Sequence, residues 1–176
     1  PIDIHGGGID LIFPHHENEI AQAEGATGQP FVRCWFHVEF LNFDSEKMSK
    51  SLGNVFTVPD IVARGHRAST LRYLLMSVHY RKQLSFSWDI LDQAEAAMTR
   101  LSDFMARLTL VTGTGTGEGI GERLERARAE FREAMVDDLN VPRALSVLFD
   151  LLREVNAALD QGQLGAAEAQ AVRATF

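Results

Sequence analysis

The first third of the chain changes repeatedly between strand-like and helix-like patterns. Ile2 to His5 and the aromatic and β-branched stretch Phe31 to Phe43 have the composition of strands. Between them, Pro14 to Glu24 is predicted to be a helix, because proline is favoured in a first helical turn and Gly25 follows the last residue. Asp44 to Gly53 is polar and basic, which indicates a loop.

The rest of the chain has the three-to-four-residue apolar spacing of helices. Short helices are predicted at Pro59 to Ala63 and Ala68 to Val78, and a long one from an N-capping Ser87 to about Leu110. After a break, further helices are predicted at Glu122 to Val136, at Val141 to Leu159, and from Leu164 onward.

Apolar faces on three of these helices predict the core. Asn140 is expected to cap the helix that carries Pro142 in its first turn. The predicted core residues are Leu71, Leu74, Leu75 and Val78 on the first face, Leu91, Ala94, Met98, Leu101, Met105 and Leu108 on the second, and Leu145, Leu148, Phe149, Leu152 and Val155 on the third.

The Gly/Thr-rich stretch 112–121 has no apolar period and predicts a flexible linker. It follows a helix and lacks the Gly-Lys-Ser/Thr ending of a phosphate-binding P-loop. The linker would separate a mixed α/β region from an all-helical region.

Composition narrows the class of protein. The hydrophobic content of 45% is that of a globular chain, and no apolar run reaches the ~18 residues of a membrane span. The N-terminus lacks a signal peptide and an initiator Met, so the chain is expected to begin inside a longer cytoplasmic protein. The net charge of −7 argues against a uniformly basic nucleic-acid binder, so any RNA contact must be local.

The segment from His5 to Asp10 places three successive glycines after a predicted strand. Glycine lets the backbone approach a ligand closely, and strand ends are where open α/β sheets bind ligands. A plain tight turn, with Asp10 as its capping residue, is the alternative.

His15 and Glu19 are four residues apart in the predicted helix. That spacing puts an imidazole and a carboxylate on one helical face, where both can reach one zinc ion. His16 should point about 100° away from them. Because zinc needs further ligands, a solvated helix start with favourably placed acidic residues is the alternative.

Lys47, Ser49, Lys50 and Ser51 lie within the run Lys-Met-Ser-Lys-Ser. Two lysines and two hydroxyls in one loop can hold a polyphosphate, although an exposed basic loop is often only solvated. This run resembles, letter for letter, the signature loop of class I aminoacyl-tRNA synthetases.

The whole set of motifs resembles cysteinyl-tRNA synthetases. The set contains, in order, His-Gly-Gly-Gly-x-Asp-Leu, Phe-Pro-His-His-Glu-Asn-Glu, Lys-Met-Ser-Lys-Ser-Leu-Gly-Asn, Ser77 to Arg81, and the segment Asp137 to Leu145. The resemblance implies an α/β fold, the second half of a class I Rossmann-like catalytic domain, followed by an all-α helical bundle. The implied domains are 1–58 with the signature loop, a helical stem-contact region 59–111, the linker 112–121, and a partial DALR-like tRNA-binding domain 122–176.

The resemblance also implies roles for individual residues. His15 and Glu19 match two of the family's four zinc ligands. The other two ligands are cysteines that lie upstream of Pro1 in the family. Cys34 matches neither of these cysteines and is expected to pack within its strand. Zinc in this family binds the thiolate of the substrate cysteine, and this preference for a thiolate over a hydroxyl excludes serine as a substrate. Asp10 would contact the substrate ammonium group, and His5 with Gly7 and Gly8 would line the adenylate and substrate side.

The implied reaction joins cysteine to ATP, with Mg²⁺, to give cysteinyl-adenylate and then transfers cysteine to tRNA(Cys). Lys50, with Ser49 and Ser51, would bind the ATP phosphates, and Lys47 would assist. The family's His-Ile-Gly-His motif is missing, so this chain alone is expected to be inactive and to self-associate through exposed apolar surface.

Two alternatives stay open at this stage. A related cysteine ligase of amino-sugar thiol (mycothiol) biosynthesis would share the zinc residues and the signature loop. A non-catalytic synthetase-like module is the other. The segment Asp137 to Leu145 and the His-His-Glu-Asn-Glu spelling favour the tRNA enzyme.

Overall fold

The structure, a computed structural model, describes residues 1–43, 46–47 and 56–176. These residues form two compact units. The first contains Pro1–Thr57 with Tyr80–Ser87, and the second contains Val58–His79 with Trp88–Phe176. The predicted linker 112–121 therefore lies inside the second unit. None of the helices in this described part of the chain combines the length and apolar character that crossing a bilayer requires.

A parallel pair of strands forms the centre of the first unit. β1 (Ile2–Gly8) pairs with β2 (Val32–Val38), and the register places Gly7 opposite His37. Because parallel strands need a long crossover, the helix α1 (Glu17–Thr27) lies between them in sequence. The strands and helix expected from the sequence are confirmed here, with β1 three residues longer than Ile2 to His5.

The start of the first helix differs from the prediction. Residues Ile9–Leu11 form a 3-10 turn and Ile12–His16 a π-type turn, with Phe13 in an extended conformation (φ −132°, ψ 130°). Regular α-helix begins only at Glu17. The predicted end was also wrong, because Gly25 lies inside the helix and the left-handed residue that caps it is Gly28 (φ 65°).

A second small sheet completes the first unit. β3 (Leu41–Phe43) pairs antiparallel with β4 (Glu46–Lys47) and parallel with β5 (Leu84–Phe86). Phe86 is buried, and its ring stacks on Phe43. The predicted loop Asp44 to Gly53 was wrong at Glu46–Lys47, which pair with β3 as a strand; its residues 44–45 and 48–53, with most of the signature run, lie outside the described residues.

The first unit exposes several large apolar side chains. Phe13 is 78% exposed and Ile4 69% exposed. Cys34, opposite Ile4 in the register, is exposed as well, so the prediction that it packs inside the strand was wrong. In the described part of the chain β1 pairs with β2 alone. Self-association through these residues stays a prediction.

The second unit is a helical assembly. Its helices are α2 (Val58–Ala63), α3 (Ala68–Met76), α4 (Trp88–Thr109), α5 (Ile120–Val136), α6 (Val141–Asp160) and α7 (Ala166–Thr175). α4 begins directly after Ser87, and the Asn140 side chain accepts a hydrogen bond from the Arg143 N–H (3.2 Å), as expected of a cap. The core lies between α4, α5, α6 and α7 and is centred on Phe104, Leu108, Ile120, Leu124, Leu151, Val155 and Val172.

The apolar faces were predicted only in part. On α4, Leu91, Ala94 and Leu108 are buried as expected, and the fully buried Phe104 was missed. On α3, Leu74 is buried but Leu75 is 47% exposed. On α6, Leu152 and Val155 are buried, but Leu145, Leu148 and Phe149 are only half-buried, while the buried stripe runs through Ala144, Val147, Leu151, Val155 and Ala158.

The Gly/Thr stretch packs against the turn between α6 and α7. The carbonyl of Gly113 accepts from the N–H of Ala166 (3.0 Å), and the N–H of Gly117 donates to the Gln163 carbonyl (3.1 Å). A Cβ atom on Gly115 would lie 2.2 Å from the same Gln163 carbonyl oxygen, so only glycine fits there. Backbone contacts thus hold the middle of this stretch; its flexibility stays a prediction.

A charged cluster joins α3 to α4. The hydroxyl of the fully buried Thr70 donates a short hydrogen bond to the Glu95 carboxylate, and the Arg67 guanidinium lies 2.6 Å from the same carboxylate. The Thr70 hydrogen bond, followed by the Arg67 contacts, lowers the pKa of Glu95 below its ordinary value of 4.5, against an opposing effect of burial.

We expect Glu95→Gln to reduce the free energy of unfolding at pH 7 by about 1–3 kcal/mol, since the charge-assisted bonds to Arg67 and Thr70 are weakened. Because the folded-state pKa is the lower one, this stabilisation is present above the unfolded pKa and is lost as the pH falls through the folded pKa. Urea denaturation at pH 7 and below pH 4 measures the difference. Glu130→Gln, an exposed carboxylate of α5, is the control; equal losses in both variants, or a loss independent of pH, would contradict the assignment.

Candidate metal centre

The three glycines at the end of β1 allow the chain to fold back over the strand. A Cβ on Gly7 would lie 2.7 Å from Leu11 Cδ1 and 3.1 Å from His16 Cε1. A Cβ on Gly8 would lie 2.4 Å from the Asp10 carboxylate. At these two positions a Cβ would displace the ends of side chains, whereas a Cβ on Gly6 would lie 2.5 Å from the backbone carbonyl oxygen of Phe36, so glycine is required at Gly6. A role of Gly7 and Gly8 in ATP binding stays a prediction.

The turn and α1 bring two histidines to one carboxylate. His5 Nε2, from β1, lies 2.9 Å from Glu19 Oε2, and His15 Nε2 lies 3.4 Å from Glu19 Oε1. Each carboxylate oxygen thus faces a different imidazole. The predicted pair His15 and Glu19 is brought together, and His5 joins it from the neighbouring strand.

A second pair of histidines lies directly behind the first. His16 is 3% exposed, and its Nδ1 lies 2.8 Å from Nε2 of His37 on β2. The His37 ring stacks on Trp35, while His16 also contacts His5 ring to edge, with centroids 5.1 Å apart. The prediction that His16 points away from the pair was wrong: His16 and Glu19 are three residues apart, which also makes their side chains neighbours on a helix, and donor atoms of the two lie within 4.8 Å of each other.

The surroundings of His16 favour its neutral imidazole. Burial lowers the pKa of His16, and the neighbouring His37 lowers it further, with Glu19 acting in the opposite direction. A neutral imidazole keeps one nitrogen free to accept a proton or to bind a metal ion. The cluster therefore groups the ring nitrogens of His5 and His15 around the Glu19 carboxylate, with His16 behind them.

The donor set fits a zinc ion. In a tetrahedral site with bonds of about 2.1 Å, two ligand atoms lie about 3.4 Å apart. His15 Nε2 and Glu19 Oε1 have that separation. Donor atoms of His5, His16 and Glu19 also lie within 4.8 Å of one another, so the structure offers a second possible ligand set that shares Glu19.

The remaining predicted residues fall into two groups. Asp10 is exposed in the 3-10 turn Ile9–Leu11, and its carboxylate lies beside Gly8. Ser49, Lys50, Ser51 and the side chain of Lys47 lie outside the described residues; only the backbone of Lys47, paired with Asn42 in β4, is described. No pattern in the sequence predicted the contact between His16 and His37.

Comparison with known proteins gives the family. Residues 1–96, more than half of the chain, match the family described as "tRNA synthetases class I (C) catalytic domain", and residues 130–176 match the DALR domain. The chain belongs to the class I tRNA synthetases. The predicted order of a catalytic-domain part followed by a helical DALR part is confirmed by these two matches.

Curated relatives of this synthetase chain carry the name "Cysteine--tRNA ligase". A relative from Koribacter versatilis is 49% identical over 163 residues, which are 92% of this chain and 33% of the relative. One from Solibacter usitatus is 48% identical over 166 residues, 94% of this chain and 36% of the relative. The synthetase chain thus spans about a third of the length of the relatives it matches.

Solved synthetase structures share the fold. A leucyl-tRNA synthetase of Agrobacterium radiobacter K84, in a ternary complex with tRNA and LeuAMS, has a TM-score of 0.74 at 18% identity. The match covers 98% of this chain and 25% of the leucyl-tRNA synthetase chain. A Mycobacterium tuberculosis methionyl-tRNA synthetase with methionyl-adenylate has a TM-score of 0.73 at 20% identity. The match covers 99% of this chain and 38% of the methionyl-tRNA synthetase. The predicted fold class is confirmed.

Proposed function

We propose that this chain is the zinc-binding and signature-loop part of a cysteine–tRNA ligase. The proposal rests on one observation: His5 and His15 meet at the Glu19 carboxylate. They do so in a chain whose relatives are named "Cysteine--tRNA ligase". The full-length protein activates cysteine with ATP and Mg²⁺ and transfers it to tRNA(Cys) in the cytoplasm.

The zinc ion, when bound, supplies a soft Lewis acid that prefers a thiolate to a hydroxyl. His15 and Glu19 would hold it, with two further ligands from other parts of the full-length protein. His5 orients the Glu19 carboxylate through its 2.9 Å hydrogen bond, so that the other oxygen faces His15. The Trp35 ring packs against the rings of His5 and His16 on one side of the cluster.

Other residues of the chain handle the charged ends of the substrates. Asp10, exposed at the mouth of the turn, would pair with the cysteine ammonium group. Lys50, with Ser49, Ser51 and Lys47, would stabilise charge on the ATP phosphates during attack by the cysteine carboxylate. His5, Gly7 and Gly8 would line the adenylate side.

The related amino-sugar ligase is the less favoured function. Curated relatives that match this chain at 49% and 48% identity are named for tRNA, and residues 130–176 match the DALR domain. The two functions share the adenylate and differ in the acceptor, tRNA or an amino sugar.

A chimaeric enzyme tests the proposed function. We expect a chimaera, in which this chain replaces the matching third of the Koribacter versatilis relative, to retain cysteine-dependent ATP–pyrophosphate exchange and cysteinylation of tRNA(Cys). Serine in place of cysteine is the control and should support neither reaction, because its hydroxyl binds zinc weakly. A folded, soluble chimaera that is inactive with tRNA, or that charges an amino sugar instead, would refute the proposal.

A further inference from the structure

The chain on either side of the signature loop is held by the same short strand. At the start of the loop, the backbone of Lys47 pairs with Asn42 of β3. Beyond the end of the loop, the ring of Phe56 contacts the ring of Phe43, with the two centroids 5.0 Å apart. Because Asn42 and Phe43 are neighbours in β3, this strand holds the chain on both sides of residues 48–55.

A buried residue fixes the position of Phe43. Phe86 of β5 is the partner of Phe43 in the parallel register, and it is 4% exposed. The rings of Phe43 and Phe86 are stacked, with centroids 5.9 Å apart and planes inclined by 29°. Both ring-to-ring distances lie in the range of favourable aromatic pairs. Phe86, Phe43 and Phe56 thus form one aromatic staple, which is anchored in the small sheet at Phe86.

The sequence reserves this role for Phe56. Residues 44–55 contain no Phe, Tyr or Trp, so Phe56 is the first aromatic residue after the loop. Holding the two ends of a loop close together costs chain entropy. Polar side chains such as those of Ser49 and Ser51 gain little from burial, whereas a phenylalanine ring gains much. The contact of Phe56 with Phe43 therefore offsets the cost of bringing the chain back to β3.

A lysine can stabilise charge on a transferring phosphate only from a defined position. Its ammonium group is a point charge on a flexible four-carbon stem, so the rest of the fold must place its backbone. Misplacement of a catalytic group by about 1 Å can slow a reaction about a hundredfold. Lys50 lies three residues after Lys47 and six residues before Phe56. The two anchored ends therefore limit the space that the Lys50 side chain can reach.

We propose that Phe43, Phe56 and Phe86 are positioning residues of adenylate formation. They join the two ends of the signature loop and thereby hold Lys50 at the phosphates of ATP. The inference rests on the proposed function, which assigns Lys50 to those phosphates. The three rings act through Lys50 and need no contact of their own with cysteine or ATP.

The first test measures cysteine-dependent pyrophosphate exchange in the chimaeric ligase. Phe56→Ala should lower the turnover number about tenfold, because Lys50 is misplaced but still present. The Michaelis constant for cysteine and the zinc content should not change, since the staple contains none of the residues assigned to those sites. Phe56→Leu keeps an apolar contact with Phe43 and should retain most of the turnover, which guards against misfolding. Phe131→Ala removes a half-buried ring packed on the helical core; it is the matched control and should leave exchange unchanged.

A double-variant cycle with Lys50 separates positioning from general stabilisation. If the staple acts through Lys50, Phe56→Ala should slow exchange about tenfold when Lys50 is present and hardly at all in the Lys50→Ala enzyme. A residue that only stabilises the fold would slow both enzymes by the same factor. Equal factors would overturn the inference. So would an unchanged turnover number in Phe56→Ala, or equal slowing by Phe131→Ala.

Tryptic cleavage of the 176-residue chain tests the staple without reference to activity. Phe56→Ala should raise the rate of cleavage after Lys47 about tenfold, because cleavage follows the population of the opened form and the pairing of Lys47 with β3 is weakened. Phe131→Ala should not raise this rate, and fragment masses identify the site. An unchanged rate in Phe56→Ala would overturn the inference. A chimaera that shows no exchange before any substitution refutes the proposed ligase function; faster cleavage then still supports the staple.

Discussion

Replacing Lys50 by alanine in the chimaeric ligase is expected to slow cysteine-dependent pyrophosphate exchange by about a hundredfold or more. Loss of one contact to developing charge on a transferred group costs roughly 3 kcal/mol of transition-state stabilisation. The Michaelis constant for cysteine should change little, because zinc and Asp10 bind that substrate rather than the signature loop. Steady-state exchange at saturating and limiting cysteine separates the two effects.

The control for this prediction is Lys82→Ala. Lys82 is exposed in the same unit, outside the signature run, and its loss should leave the exchange rate unchanged. If Lys50→Ala slowed exchange only slightly, or raised the Michaelis constant for cysteine alone, the phosphate role would be wrong.

Removal of Glu19 is expected to have the second large effect, loss of bound zinc from the chimaera. Glu19 belongs to both possible ligand sets, so Glu19→Ala should abolish stoichiometric zinc whichever set is used. His15→Ala should do the same, since it removes one of four ligands. His5→Ala should weaken zinc binding by about 10–100-fold, as expected for a partner that orients a ligand. Elemental analysis and competition with a chelator measure these changes.

His16→Ala decides between the two sets. It should leave the zinc stoichiometry at one, because His16 already donates to or accepts from His37 and lies behind the pair that the family resemblance selects. Zinc lost in His16→Ala and kept in His15→Ala would show that His5, His16 and Glu19 are the ligands instead.

The sequence predicted the elements of the fold better than their buried faces. Helices α4, α5 and α6 begin and end within two residues of the predicted bounds, and α7 begins two residues after its predicted start, since caps such as Asn140 act locally. The core of α6 was predicted wrongly, because the large apolar residues Leu145, Leu148 and Phe149 were expected to be buried. Ala144 and Ala158 are fully buried instead, since small side chains let neighbouring helices approach closely, and that demand comes from tertiary packing.

The sequence predicted those contacts of the candidate site that depend only on the spacing of residues along one helix. His15 and Glu19 meet because they are one helical turn apart. The approach of His5, fourteen residues before Glu19, depends on how the turn folds back on β1. The contact of His16 with His37 depends on the π-type turn and on the β1–β2 register together. Neither can be read from a periodicity.

The close approach of Gly115 to the turn after α6 has a practical consequence for handling this protein. By composition, the Gly/Thr stretch is where an engineer would place an epitope tag, a protease site or a fluorescent insert. A single added side chain at residue 115 would collide with the backbone at Gln163 and Leu164, and the two strands of chain would have to part. The exposed tip at Gly162 has no atom within 4 Å of an added Cβ, so it is the better place to cut or extend the helical unit, provided that Gly162 itself is kept, because its φ of 66° favours glycine.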